Sequence, residues 1–230
     1  MAGHPTIGST FALAREGMIA AGTEEFVFGL GVGPTPVRLE WEGDRLAFAW
    51  MRQPCPEFLG TFDALESVAA ALGVEAGDIA DTGLSPEVVS SGVPHLFVAL
   101  SSRRAVDTAL LDRPAVRRIF ESAGMEELPV FVFSLESGDD DATAYSRMFA
   151  PTFGIAEDPA TGGASGPLGA YLVKHGAVPS DAFDQMTSLQ GVRMGRPSWI
   201  HISIRGTAEA IEGVEVGGVS VHVGEGTIEL

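Results

Sequence analysis

The stretch Ala156-Glu157-Asp158-Pro159-Ala160-Thr161-Gly162-Gly163-Ala164-Ser165-Gly166-Pro167-Leu168-Gly169-Ala170-Tyr171-Leu172-Val173 constrains the fold more than any other. An acidic pair and a proline precede a glycine-rich turn, and the turn opens a helix. Pro159 suits the first turn of that helix, where a missing N–H is no loss. Asp158 or Thr161 suits its cap. Gly162, Gly163 and Ala164 carry little or no side chain, so another group can approach the backbone closely. The free N–H groups of a helix start, with the positive end of its dipole, favour a carboxylate or other anion. An acid beside such a start is suited to proton transfer.

A second stretch repeats the pattern. His4-Pro5-Thr6-Ile7-Gly8-Ser9-Thr10 and Asp158-Pro159-Ala160-Thr161-Gly162-Gly163-Ala164 both read polar, Pro, two residues, Gly, two small residues. Both lead into an apolar helix. The repeat predicts two related half-domains, each with a buried helix whose start opens on one shared cleft. In the first, Pro5 takes the N1 position, Phe11 and Leu13 face inward, and Gly17 ends the helix.

Between and after these helices the chain reads as short strands with a few further helices. Glu25 to Leu30, Pro36 to Trp41 and Arg45 to Met51 are predicted strands, the last two joined by the Glu42-Gly43-Asp44 turn. Asp63 and Glu66 have the spacing of a capping box before a helix that ends at Gly73. Glu87 to Leu100 reads as two strands broken at Ser90 to Pro94, and Asp112 to Ala123 as an amphipathic helix. Val130 to Leu135, Tyr145 to Phe149, and Trp199 to Arg205 are strands; Ile200, Ile202 and Ile204 share one face of the last. Val214 to Val223 and Thr227 to Leu230 are read as closing strands. Elements in this mixed order predict an α+β fold. A change of domain is placed near residue 57.

The totals exclude several functions. The chain has 230 residues and a net charge of −17, which argues against nucleic acid and against anionic membranes as partners. No apolar run approaches the ~18 residues of a membrane span, and the first residues lack the basic-then-apolar pattern of a secretory leader. A single cysteine, Cys55, allows no internal disulfide, so a cytoplasmic location is expected. Set between Pro54 and Pro56, it reads as structural rather than nucleophilic. Ser137-Gly138-Asp139-Asp140-Asp141 reads as a solvated turn, because no spaced calcium-loop pattern follows its acids. His95, His175, His201 and His222 show no metal-ligand spacing. No metal is expected. Gly29-Leu30-Gly31-Val32-Gly33 lacks the spacing of a dinucleotide fingerprint. Gly162 to Gly166 is followed by no Lys-Ser/Thr, and Ser165 does not stand in a nucleophile elbow.

Four stretches together resemble the PhzF family, the phenazine-biosynthesis isomerase-like proteins with the diaminopimelate epimerase fold. They are Ala2-Gly3-His4-Pro5-Thr6-Ile7-Gly8; Val88-Val89-Ser90-Ser91-Gly92-Val93-Pro94; Phe149-Ala150-Pro151 through Glu157-Asp158-Pro159-Ala160-Thr161-Gly162; and Gln190-Gly191-Val192-Arg193-Met194-Gly195-Arg196-Pro197-Ser198. The resemblance implies two pseudo-symmetric α+β halves, each a curved, mostly antiparallel sheet around a central helix. Residues 1–57 with 216–230 would form the first half and residues 58–215 the second. It also implies isomerisation by acid/base proton transfer on a small carboxylate-bearing substrate, without metal or cofactor. His4 and Asp158 match the family's active-site His and Asp, and Gly3, Thr161, Gly162 and Gly163 fall in the substrate-binding turns. Gly163 stands where better-characterised members have Ser, which removes a hydroxyl from the anion-binding turn.

A further departure concerns the family's main acid/base, a Glu carried by an N-terminal segment. No residue here matches it, since Glu16, Glu24 and Glu25 follow His4. The resemblance therefore implies little or no turnover unless another segment or a second chain supplies a carboxylate. Without the first strands, the apolar face of the Pro5 to Glu16 helix would lose cover worth several kcal/mol at ~25 cal/mol per Å². A homodimer or a completing chain is accordingly expected. The alternative function is a non-catalytic binding or subunit-type protein that keeps the cleft.

Overall fold

The computed structural model describes residues 3–31 and 33–227. Ala2, Val32 and the last three residues of the expected strand Thr227 to Leu230 lie outside them. In chain order the elements are α1 (Gly3–Arg15), β1 (Glu25–Leu30), β2 (Gly33–Glu42), β3 (Arg45–Gln53), β4 (Glu57–Thr61), α2 (Leu65–Leu72), α3 (Ala76–Ala80), β5 (Glu87–Ser90), β6 (Pro94–Ala99), α4 (Arg103–Thr108), α5 (Arg113–Ser122), β7 (Val130–Ser134), β8 (Ala144–Ala150), β9 (Ile155–Asp158), α6 (Gly162–Lys174), β10 (Met186–Gln190), β11 (Ser198–Gly206) and β12 (Ile211–Gly218). The strands run β1-β2-β3-β12-β11-β10-β8-β7-β6-β5-β4, with β9 paired to β8. Among the described residues only β6–β7 and β8–β10 are parallel pairs. The fold is α+β and mostly antiparallel.

α6 is the centre of the larger part. Eleven of its thirteen residues are buried, as expected of a helix apolar on all sides. Strands from β5 round to β12 give it their inward residues, among them Phe97, Phe131, Phe133, Ile202, Ile204 and Val214. Gly169 lets the helix seat closely, because a Cβ there would stand 2.5 Å from Ile202 Cγ2. The alternate residues of the same strands, such as Leu96, Val98, Val130 and Val132, face the other way and pack with α2 and α5. Burial on both faces explains why β7 reads as an unbroken apolar run rather than an alternation.

α1 differs from its expected twin. Only Gly3, Thr6 and Thr10 are buried. Ile7, Phe11, Leu13 and Ala14 pack partly against Val37, Leu39, Leu46 and Met51 of β2 and β3. The helix also borders an open groove of about 1040 Å³, which Phe11, Ala14, Trp41 and Leu46 line together with residues 220–225. The expectation of a buried first helix is therefore corrected to a helix covered on one face. It begins at Gly3, so Pro5 is its third residue rather than N1.

Several local expectations change for physical reasons. Asp63 does not form a capping box with Glu66: Ala64 is the cap, without a side-chain hydrogen bond, and the Leu65 N–H goes to the Asp63 carbonyl at 2.9 Å. The last long strand stops at Gly218. Val219, Val221 and Val223 continue an alternating pattern with no neighbouring strand and are exposed. In the Asp-rich turn, Asp140 is held by Arg103 (Nη2–Oδ1 2.8 Å) rather than solvated. α5 ends where expected and is capped by Asp112, whose Oδ1 accepts from the Ala115 N–H at 3.2 Å. Among the described residues no helix is long and apolar enough to cross a membrane, and no His, Cys, Asp and Glu cluster is arranged to hold a metal ion.

Candidate active site

The two helix starts meet backbone to backbone. A Cβ added to Gly3 would lie 2.8 Å from Gly162 Cα and 3.2 Å from Gly163 N. Only glycine on both sides permits that approach, so the repeated small residues serve contact between the helices. The His4 ring reaches across the same junction, with Nδ1 3.0 Å from the Ala160 carbonyl oxygen. A carbonyl can only accept, so Nδ1 carries the proton, and Nε2 of the neutral ring is an acceptor.

The acid-bearing turn is built differently from the expected cap. α6 begins at Gly162, three residues after Pro159, so the proline lies outside the helix. Thr161 is the N-cap by position, but its side chain does not cap. Its hydroxyl donates instead to Asp158 Oδ2 at 2.6 Å. Asp158 therefore does not cap the helix either; its carboxylate is half-buried and turned onto Thr161. Among the described residues no acceptor meets the Gly162 and Gly163 N–H groups, whereas Ala164 N–H closes on the Thr161 carbonyl. Unpaired donors at a helix start are suited to an anion.

Two supports hold this turn. Gln190, fully buried at the end of β10, donates from Nε2 to the Asp158 carbonyl at 2.6 Å and to Thr161 Oγ1 at 3.0 Å. Its Oε1 accepts from the Thr161 N–H at 3.0 Å. Arg147 grips Glu157 through two 2.9 Å bonds, and its Nη1 also donates to the Val106, Asp107 and Ala109 carbonyls. Glu157 is thus tied into a mostly buried ion pair. Sequence reasoning quoted Gln190 within a motif without assigning it a task. The signal was a polar residue closing a short strand, and a strand with Ser188 and Leu189 at adjacent buried positions shows no alternation.

Beside the junction lies a cavity of about 490 Å³, a size suited to a small molecule. Gly3, His4 and Gly162 line it, together with Pro159, Ala160 and Arg196. Asp158, Thr161 and Gly163 belong to the same turn but are not in its lining. Of the other histidines, His201 also lines this cavity. Burial pulls His95 down to about 4, His175 bonds Glu87, and His201, lowered by burial, packs on Phe48.

A family model described as phenazine biosynthesis-like protein matches residues 1–226. The trans-2,3-dihydro-3-hydroxyanthranilate isomerase of Pseudomonas aeruginosa is 31% identical over 229 residues, covering 100% of this chain and 74% of that protein. A Clostridium acetobutylicum protein named as an uncharacterized isomerase is 30% identical over 224 residues, covering 96% of this chain and 72% of its own. The crystal structure of a Bacillus anthracis phenazine biosynthesis protein superposes with a TM-score of 0.83 at 22% identity, covering 100% of this chain and 76% of that one. At that identity the superposition establishes the fold.

Proposed function

Since the chain belongs to the PhzC-PhzF family of phenazine biosynthesis-like proteins, we propose that it is an isomerase moving a proton on a small carboxylate-bearing metabolite. The substrate occupies the cavity beside the starts of α1 and α6. The Gly162 and Gly163 N–H groups receive its carboxylate, with Gly3 and Thr161 shaping the turn. His4 carries the proton, and Asp158, which does not line the cavity, acts on the site through the Thr161 hydroxyl that donates to it. One observation supports this above the rest: the His4–Ala160 bond sets the tautomer, so a cavity-lining imidazole offers Nε2 as a base.

A second reading rests on a different observation. Among the described residues no Asp or Glu lines the cavity. His4 is then, among these residues, the one titratable group with a protein partner fixing its tautomer at the cavity, and little turnover is expected unless a carboxylate from elsewhere joins it. In that case the chain is a binding or subunit-type protein. Solvent deuterium uptake into trans-2,3-dihydro-3-hydroxyanthranilate, the compound named for the Pseudomonas relative, separates the two. Exchange that is lost in His4→Ala and Asp158→Asn supports catalysis by this chain; saturable binding without exchange supports the second reading.

A further inference from the structure

The segment Gln190 to Ser198 has been used so far only through its first residue. Its first two residues are held against the acid-bearing turn. Gly191 has φ +78° and sits where two loops touch: a Cβ there would lie 2.7 Å from the Pro159 carbonyl oxygen and would also run into the Arg196 carbonyl. The Arg196 N–H returns to the Gly191 carbonyl at 3.0 Å, and Ser198 Oγ donates to the Arg196 carbonyl at 3.1 Å. The Arg196 backbone is thus in register with Pro159 through direct contacts, while its side chain is exposed and lines the cavity that His4 lines.

The charge around it is unusual for this protein. The chain carries 31 Asp and Glu against 14 Lys and Arg. Yet among the described residues the cavity is lined by no acid and by one permanent cation, Arg196. No carboxylate of the described residues pairs with Arg196, whereas Arg103 and Arg147 are each locked to an acid. In so acidic a chain, a guanidinium without a protein partner makes the cavity locally positive. Its planar fork matches a carboxylate with two parallel bonds.

We infer that Arg196 is a specificity-determining residue that receives a second acidic group, so the preferred ligand is a small dianion rather than a monocarboxylate. The inference rests on the proposed seating of the first carboxylate at the α6 start. A carboxylate on the Gly162 and Gly163 amides uses both its oxygens there, and a cavity of about 490 Å³ leaves Arg196 for another acceptor.

Butyrate and succinate test this, because they share a four-carbon chain and differ by one carboxylate. Each is titrated into nitrogen-15-labelled protein at neutral pH, following the Gly162 and Gly163 amides and the Arg196 Nε–H signal by NMR. Succinate is expected to bind about tenfold to a hundredfold more tightly, the range for losing a charged hydrogen-bonded partner. Arg196→Gln removes that preference, weakening succinate tenfold or more and butyrate far less, and Arg196→Lys, which keeps the charge without the fork, restores part of it. An unchanged melting temperature confirms that the exposed side chain was not structural. Equal binding of the two acids by the wild type, or an equal loss of both in Arg196→Gln, overturns the inference while the seating at the helix start stands. If neither acid moves the Gly162 and Gly163 signals, the seating itself fails, and the inference fails with it.

Discussion

Gly3→Ala probes the contact on which the two-helix site depends. The new methyl would stand 2.8 Å from Gly162 Cα and 3.2 Å from Gly162 C and Gly163 N. Carbon atoms rest at ~3.5–4.0 Å, so the helix starts must part by roughly 0.7–1 Å. Both surfaces are backbone, and no rotamer can relieve the clash. Overpacking of this kind costs ~1–3 kcal/mol, and the better helix propensity of alanine returns at most ~1 kcal/mol. Gly8→Ala in the same helix is the control: nothing lies within 4 Å of its Cβ, so the substitution should stabilise by ~0.5–1 kcal/mol. The helix gain is common to both variants, so they should differ by the overpacking cost, ~1–3 kcal/mol, or roughly 2–12 °C in melting temperature for a chain of this size. Thermal unfolding followed by circular dichroism measures this directly. If Gly3→Ala melts with Gly8→Ala, the helix starts do not touch and the reasoning about the site is refuted.

Arg147→Ala should cost ~3–5 kcal/mol in urea unfolding, because it strands the mostly buried Glu157 and removes the donor to three carbonyls. Arg147→Lys should not rescue it, since an ammonium cannot reproduce the fork; wild-type stability in either variant would contradict this account. Stability should also depend on pH through His95. Burial holds its imidazole at about 4, against 6.5 for the ordinary group. Between those values the unfolded chain binds a proton that the folded chain refuses, so stability is full above the window and falls as pH drops through it. The fall totals ~3 kcal/mol by pH 4. Urea midpoints across this range should lose that slope in His95→Gln.

Much of the fold was legible because its signals are local. The apolar, glycine-studded run of α6 can only be a buried helix, and the isoleucines of β11 alternate because one face meets that helix. α1 carries a similar apolar pattern but is covered on one face only, since composition does not reveal whether a neighbour exists. The Asp63–Glu66 spacing failed because a backbone carbonyl took the N–H first. The short α3, α4, β4 and β9 carry too few residues for a period to appear. In the site, the acidic turn and its helix were visible, but the bond between Thr161 and Asp158 depends on Gln190, 29 residues beyond Thr161. Long-range polar contacts of that kind leave no trace in spacing.

The meeting of Gly3 with Gly162 has an electrostatic consequence. Each helix start carries about half a positive charge, and here two such poles face each other at van der Waals range. Like poles repel, and the contact holds only because packing along α1 and α6 outweighs that repulsion. An anion between them is attracted by both fields and screens each from the other. Its binding energy therefore includes relief of that repulsion, so an acid beside the junction also steadies the contact between the two helices.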